Sequence, residues 1–208
     1  MGVLKSIKYA KKTIDSLRDT QLKNHSHVLL PILMQVILDL DKEIEKYNNS
    51  PRFHMCLSLF KQGMGMIEQK QYSISDWIDR YHKNYSKYYS PYFLKHSYLL
   101  ENFCLYYFQH VLFPYDKNEL SYRFLFFTIE MMLLKFLLVG ISGTVEGLHP
   151  TIIIQVFQSY FKLFHHNRER YEHYIGRIHT SLREHTIDYK ELLQVLISAE
   201  SDGTLDTK

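Results

Sequence analysis

Three hydrogen-bonding side chains stand where helical spacing calls for apolar ones. Glu101 falls on the stripe Leu94, Tyr98, Leu105, Phe108 and Leu112. Glu130 is in register with Phe126, Leu133 and Leu137, and Asn167 interrupts Ile153, Phe157, Tyr160, Phe164, Tyr171, Tyr174 and Ile178. Burying a polar group without a partner costs about 1–3 kcal/mol. Each of the three is therefore expected either in a satisfied network or at a ligand or reaction site inside the molecule. A buried Glu has three ways to exist: pairing with Lys or Arg, accepting tyrosine hydroxyls, or staying neutral with a raised pKa.

Other groups suggest chemistry that their surroundings argue against. His166, Glu169 and His173 recur at i, i+3 and i+7, a spacing that can hold a metal. The same face carries Ser159 and Lys162 and lies away from the apolar stripe, so a solvated polar face is expected and no metal. Cys56 and Cys104 are the two cysteines. They are too few for a cysteine-ligated zinc site or an iron–sulfur cluster made by this chain alone. Tyr81, Tyr85 and Tyr88 recur at spacings of four and three, which puts three phenols on one helix face. That face packs on a neighbour or lines a groove for a ligand or peptide. No dinucleotide-binding, P-loop, zinc-protease or nucleophile-elbow motif occurs.

The elements that must position these residues read as helices. Apolar spacing predicts helices over 3–22, 27–47, 52–71, 76–89, 90–112, 119–141 and 150–182, with a last short one over 188–198. Asn48-Asn49-Ser50-Pro51 is the clearest turn. The expected architecture is all-α, a bundle of about eight helices. Residues 1–72 form an N-terminal helical segment, 73–199 an aromatic-rich core, and 200–208 a frayed tail. The segment 119–141 is apolar nearly all round, so it is either the centre of a bundle or a membrane span. Glu130 and Lys135 decide against the membrane, since each costs about 2.5–3.5 kcal/mol at a bilayer centre. They lie about 140° apart around the helix and do not pair with each other.

Composition narrows the classes further. Among 208 residues, 25 Lys and Arg against 22 Asp and Glu give a net charge of +3, too slight for a nucleic-acid binder. Aromatics at 15% point to a wide-bodied core with a ring-lined groove as a natural by-product. Eight Gly and five Pro are too few for a sandwich or barrel of this length. The lysines of the first dozen residues are followed by no apolar run of the signal-peptide kind, and a cytoplasmic protein is expected.

Two stretches carry a resemblance. Leu100-Glu101-Asn102-Phe103, followed by Leu112-Phe113-Pro114-Tyr115, resembles a Leu-Glu-Asn-aromatic to Phe-Pro-aromatic segment of the flagellin lysine-N-methylase family. The apolar helix from Arg123 to Ile141 fits that family's next helix, and Val156 to Asn167, ending in His166-Asn167, is similar to a further stretch. The likeness covers roughly the last half of the chain. It implies methylation of lysine ε-amines on flagellin with S-adenosylmethionine as cofactor, in bacteria. Family members begin with a cysteine-rich segment thought to hold an iron–sulfur cluster, from which this chain departs. The chain then looks like the C-terminal half, a truncated homologue, or one piece of a split gene whose partner is a missing N-terminal half.

The residues on family positions are Glu101, Asn102, Phe113, Pro114, His166 and Asn167. Methyl transfer needs a neutral amine, because an ammonium has no lone pair, so a site must desolvate the lysine or offer a base. Glu101 is the candidate catalytic residue. Tyr98, Glu101, Asn102, His166 and Asn167 are the candidate substrate- or cofactor-binding residues, with aromatic faces for the sulfonium or ammonium. The alternative is a non-catalytic all-helical interaction module that binds a protein through its tyrosine face. A helical ligand-binding regulator is a third reading, against which stands the lack of a helix-turn-helix.

Overall fold

In the computed structural model the described residues are 26–47, 50–66, 73–109, 120–164, 167–185, 187 and 192. Among them there is no strand, and the chain is an all-α bundle. The helices expected over 3–22 and 188–198 lie outside the described residues, apart from Leu192 of the latter.

Helix α1 spans Ser26–Tyr47 and α2 spans Pro51–Gly63, separated by the expected turn. Pro51 opens α2 at a position where the missing N–H costs nothing. The helix stops at Gly63 rather than continuing to 71, and Gly65 follows at φ +77°, a left-handed conformation that suits glycine. Helix α3 spans Ile74–Asn84 behind a reciprocal cap, in which the Ser73 hydroxyl accepts from the Asp76 N–H and the Asp76 carboxylate accepts from the Ser73 N–H.

The expected start of a new helix at Ser90-Pro91 is corrected. The rod runs on from α3 through a π-helical turn, Tyr85–Tyr89, into α4, Ser90–Lys95. A proline inside an α-helix clashes with the carbonyl four residues back. The wider π turn relieves that clash, and the Ser90 N–H reaches back five residues to the Tyr85 carbonyl. The true break comes at His96–Ser97, after which α5 spans Tyr98–Tyr107. The π turn also resets the tyrosine face. Tyr81, Tyr85 and Tyr89 are buried in a ladder with ring centroids 6.4 and 5.5 Å apart, whereas Tyr88 is only half-buried. That face is core, which removes the surface on which the interaction-module reading relied.

Helix α6, Leu120–Thr144, is the axis of the bundle. Its stretch 124–144 is long and apolar enough to cross a membrane by length and composition, yet most of it is buried among other helices, the place of a core helix. Helix α2 packs along it with close backbone approach. Phe60 meets Phe136 at a centroid distance of 5.1 Å, and the Thr144 hydroxyl donates to the Leu59 carbonyl at 2.6 Å. Buried Lys135 places its ammonium 4.7 Å from the centre of the Tyr85 ring.

Helices α7, Pro150–Phe164, and α8, Arg168–Glu184, replace the single rod expected over 150–182. One apolar cluster joins Leu29 in α1 to Leu192, so helices on both sides of residue 73 share it. Carboxylates of α1 tie it to its neighbours. Glu43 accepts from Arg170 at 2.7 Å and from the Tyr174 hydroxyl at 2.6 Å, Asp39 pairs with Arg177 at 2.8 Å, and Asp41 takes Lys61 of α2 at 2.6 Å. Burial alone would raise the Glu43 pKa. The bonds from Tyr174 and Arg170 and the Arg170 charge outweigh it and hold the carboxyl below its ordinary value.

Candidate functional site

A groove of about 710 Å³ runs between α5 and α7. Its α5 wall is Leu99, Asn102, Phe103 and Tyr106, residues at i, i+3, i+4 and i+7 and therefore on one face. Its α7 wall is Ile153, Ile154, Phe157, Gln158, Phe161 and Lys162, again one face. Rings bridge the two walls: Phe103 lies 4.4 Å from Phe157 and 5.1 Å from Phe161, and Tyr106 meets Phe161 edge-on at 5.3 Å. Phe103 is buried at the floor, while Tyr106 and Ile154 are each 47% exposed. Among the described residues the polar groups on the walls are Asn102, Gln158, Lys162 and the Tyr106 hydroxyl, and none is a carboxylate. A mostly apolar, ring-lined cleft of this size with a few polar groups has the form of a binding site.

Behind the groove the helices that build it meet at one buried carboxylate. Glu130 of α6 has no exposed surface. Tyr107 of α5, the neighbour of groove residue Tyr106, donates its hydroxyl to Glu130 Oε1 at 3.1 Å. Tyr171 of α8 is also hydrogen-bonded to Glu130. Tyr160 of α7, the neighbour of groove residue Phe161, is fully buried within range of the same charge, although its hydroxyl has no hydrogen-bond partner. Burial first, and then the Glu130 charge, push the Tyr160 and Tyr171 hydroxyls far up, so both stay protonated. Glu130 thus joins α5, α6 and α8, with Tyr160 of α7 packed within range of its charge, and α5 carries one wall of the groove.

The sequence-predicted residues are dispersed. Glu101 is exposed, which corrects its expected place on a buried seam. The seam itself is on the wrong face: Leu94 is 82% exposed, Leu105 58% and Tyr98 49%, while α5 buries Phe103 and Tyr107. The break at His96 uncouples Leu94 from the helix that follows, and the outer face of α5 is as apolar in composition as the inner one. Asn102 is exposed and lines the groove. His166 lies outside the described residues, and its expected face-mates Glu169 and His173 are exposed on α8.

Asn167 is also corrected. It is exposed, has an extended backbone at φ −134°, ψ 90°, and caps α8 by accepting the Arg170 N–H at 3.0 Å. A capping amide explains its presence in an apolar stripe, because the stripe belongs to two helices. Asn167→Ala is expected to lower stability by about 1 kcal/mol, and Asn167→Asp to leave it nearly unchanged, by urea denaturation. Equal loss in both variants would assign the residue another role.

Cys104, half-buried on α5, has its thiol pushed up by burial and further by the Glu101 charge, so it is no activated nucleophile. The groove residues Phe103, Phe157 and Phe161 were legible only as aromatics at i, i+4 spacing, a signal that core positions share.

No curated protein and no solved structure is detectably similar to the chain. A family model, the FliB lysine N-methylase C-terminal domain, matches residues 4–194. The match spans far more than the stretches that first carried the likeness, and takes in every helix around the groove. The chain belongs to the FliB lysine N-methylase C-terminal domain family.

Proposed function

We propose that this chain is the substrate-holding helical part of a lysine N-methylase that acts on flagellin in the bacterial cytoplasm with S-adenosylmethionine as methyl donor. The observation that carries the reading is the family match over residues 4–194, and the ring-lined groove between α5 and α7 supports a holding role. The groove between α5 and α7 is a poor match for the donor itself. Its ribose diol and amino group call for a carboxylate facing a ring-lined cleft, and the groove's polar walls are amides, a phenol and an ammonium, while Glu130 is enclosed.

Within that role Asn102 and Gln158 offer amides to polar side chains of a bound segment, and the rings take apolar side chains. Exposed Glu101, beside Asn102, attracts a lysine ammonium, which its exposure allows, rather than deprotonating it in dry surroundings, which its exposure forbids. His166 and Asn167 enter as the resemblance alone implies, with Asn167 already engaged as a cap.

The experiment pairs calorimetry with capture. The isolated chain is expected to retain flagellin on an affinity matrix and to give no saturable heat with S-adenosylmethionine. A longer family member is expected to bind the donor and to add methyl groups to flagellin lysines, read by mass spectrometry. Failure of the chain to retain flagellin would overturn the holding role.

A further inference from the structure

We infer that the groove between α5 and α7 takes an amphipathic helical segment of a protein, apolar along i, i+3 or i+4, and i+7, with an acidic residue at its Lys162 end, and that the lysine to be methylated lies outside the groove. This inference rests on the reading of the chain as the part that holds a protein substrate.

Shape argues for a helix. The α7 wall from Ile153 to Lys162 is about 13.5 Å long and the α5 wall from Leu99 to Tyr106 about 10.5 Å, at the helical rise per residue. Two ridges of that length joined by ring contacts leave a trough for about two helical turns, the arrangement in which an amphipathic helix lays its apolar face between two others. The rings and Ile154 provide the sockets, and the exposed outer residues Leu105 and Tyr98 extend the apolar surface along α5.

Charge selects the occupant. Among the described residues the groove's charged wall residue is Lys162, which is exposed, and no carboxylate lines the cleft. A lysine ammonium inserted there would meet a like charge at Lys162 and no carboxylate among the described lining residues, whereas Glu101 lies outside the groove's lining. A carboxylate on the occupant finds its counter-ion at that end instead. The groove is thus a docking site for residues flanking the target.

The test is direct binding, by fluorescence anisotropy, of three labelled synthetic peptides to the whole chain. One has a leucine stripe and a terminal Glu, the second the same stripe and a terminal Lys, and the third a scrambled stripe. The Glu-ended peptide is expected to bind, the Lys-ended one roughly fivefold more weakly at low salt, and the scrambled one not at all. Lys162→Glu should reverse the preference between the first two. Ile154→Asp, at an exposed position that leaves thermal unfolding unchanged, should weaken both by roughly tenfold or more. Equal binding of striped and scrambled peptides, or indifference to both substitutions, would overturn the inference. Flagellin capture by the same preparations separates the two readings: capture that ignores Ile154→Asp removes the groove and keeps the holding role, whereas peptide binding without capture keeps the groove and removes flagellin.

Discussion

Glu130→Leu is expected to lower the stability of the chain by about 2–4 kcal/mol, seen as a large drop in the urea midpoint at unchanged slope. Leucine matches glutamate in bulk, so no large cavity opens. What disappears is the acceptor for Tyr107 and Tyr171. Each buried hydroxyl left without a partner costs about 1–3 kcal/mol, and the relief of burying a charge returns part of the sum. Glu130→Gln keeps a carbonyl oxygen toward the phenols and should lose much less, about 1 kcal/mol. The decisive variant is Glu130→Leu combined with Tyr107→Phe and Tyr171→Phe. With the carboxylate and its two donors removed together neither partner is left stranded, and most of the loss should return. If the single leucine variant were as stable as the parent, Glu130 would not be the point that holds α5, α6 and α8 together. Because α5 carries a groove wall, the same substitution is expected to broaden peptide binding even where the fold survives.

How much of this could be read from residue types differs element by element. Helix α6 was legible because a segment apolar on every side has nowhere to go but the centre of a bundle, and Glu130 within it was legible as a polar group needing a network. The turn at Asn48 to Pro51 was legible because its residues prefer turn geometry and pre-set the next helix. The face of α5 was not. Tyr98, Glu101 and Leu105 line one side and Phe103 and Tyr107 the other, and a single polar residue on the outer side carries too little contrast to decide which one is buried. Asn167 misled for a related reason. Buried Phe164 and Tyr174 keep a continuous stripe across it, so spacing alone hid a chain break that the backbone marks with an extended residue. The groove was hidden because half-burial is a property of the assembled surface, and Phe157 serves a core and a cleft equally well.

Gly63→Ala is expected to cost about 3 kcal/mol, against the trend of the same substitution elsewhere in helices. Intrinsic propensity favours alanine over glycine in a helix by about 1 kcal/mol. At Gly63 a Cβ would collide with the carbonyl oxygen of Gly140, and would lie 2.9 Å from the Thr144 hydroxyl. The obstacle is the backbone of α6 in the middle of the core, which no rotamer change can move aside. Backing α2 away would break the Thr144 bond to the Leu59 carbonyl at 2.6 Å, strain the bond from Asn84 to the Gly63 carbonyl at 3.1 Å, and leave a gap along the tightest helix pair. Gly176 in α8 provides the contrast, since a Cβ there meets nothing within 4 Å. Gly176→Ala should therefore stabilise by up to about 1 kcal/mol through the unfolded state. Urea denaturation of both variants measures the difference. Opposite signs are expected from one chemical change, and a neutral or stabilising Gly63→Ala would mean that α2 and α6 do not approach each other as closely as their glycines allow.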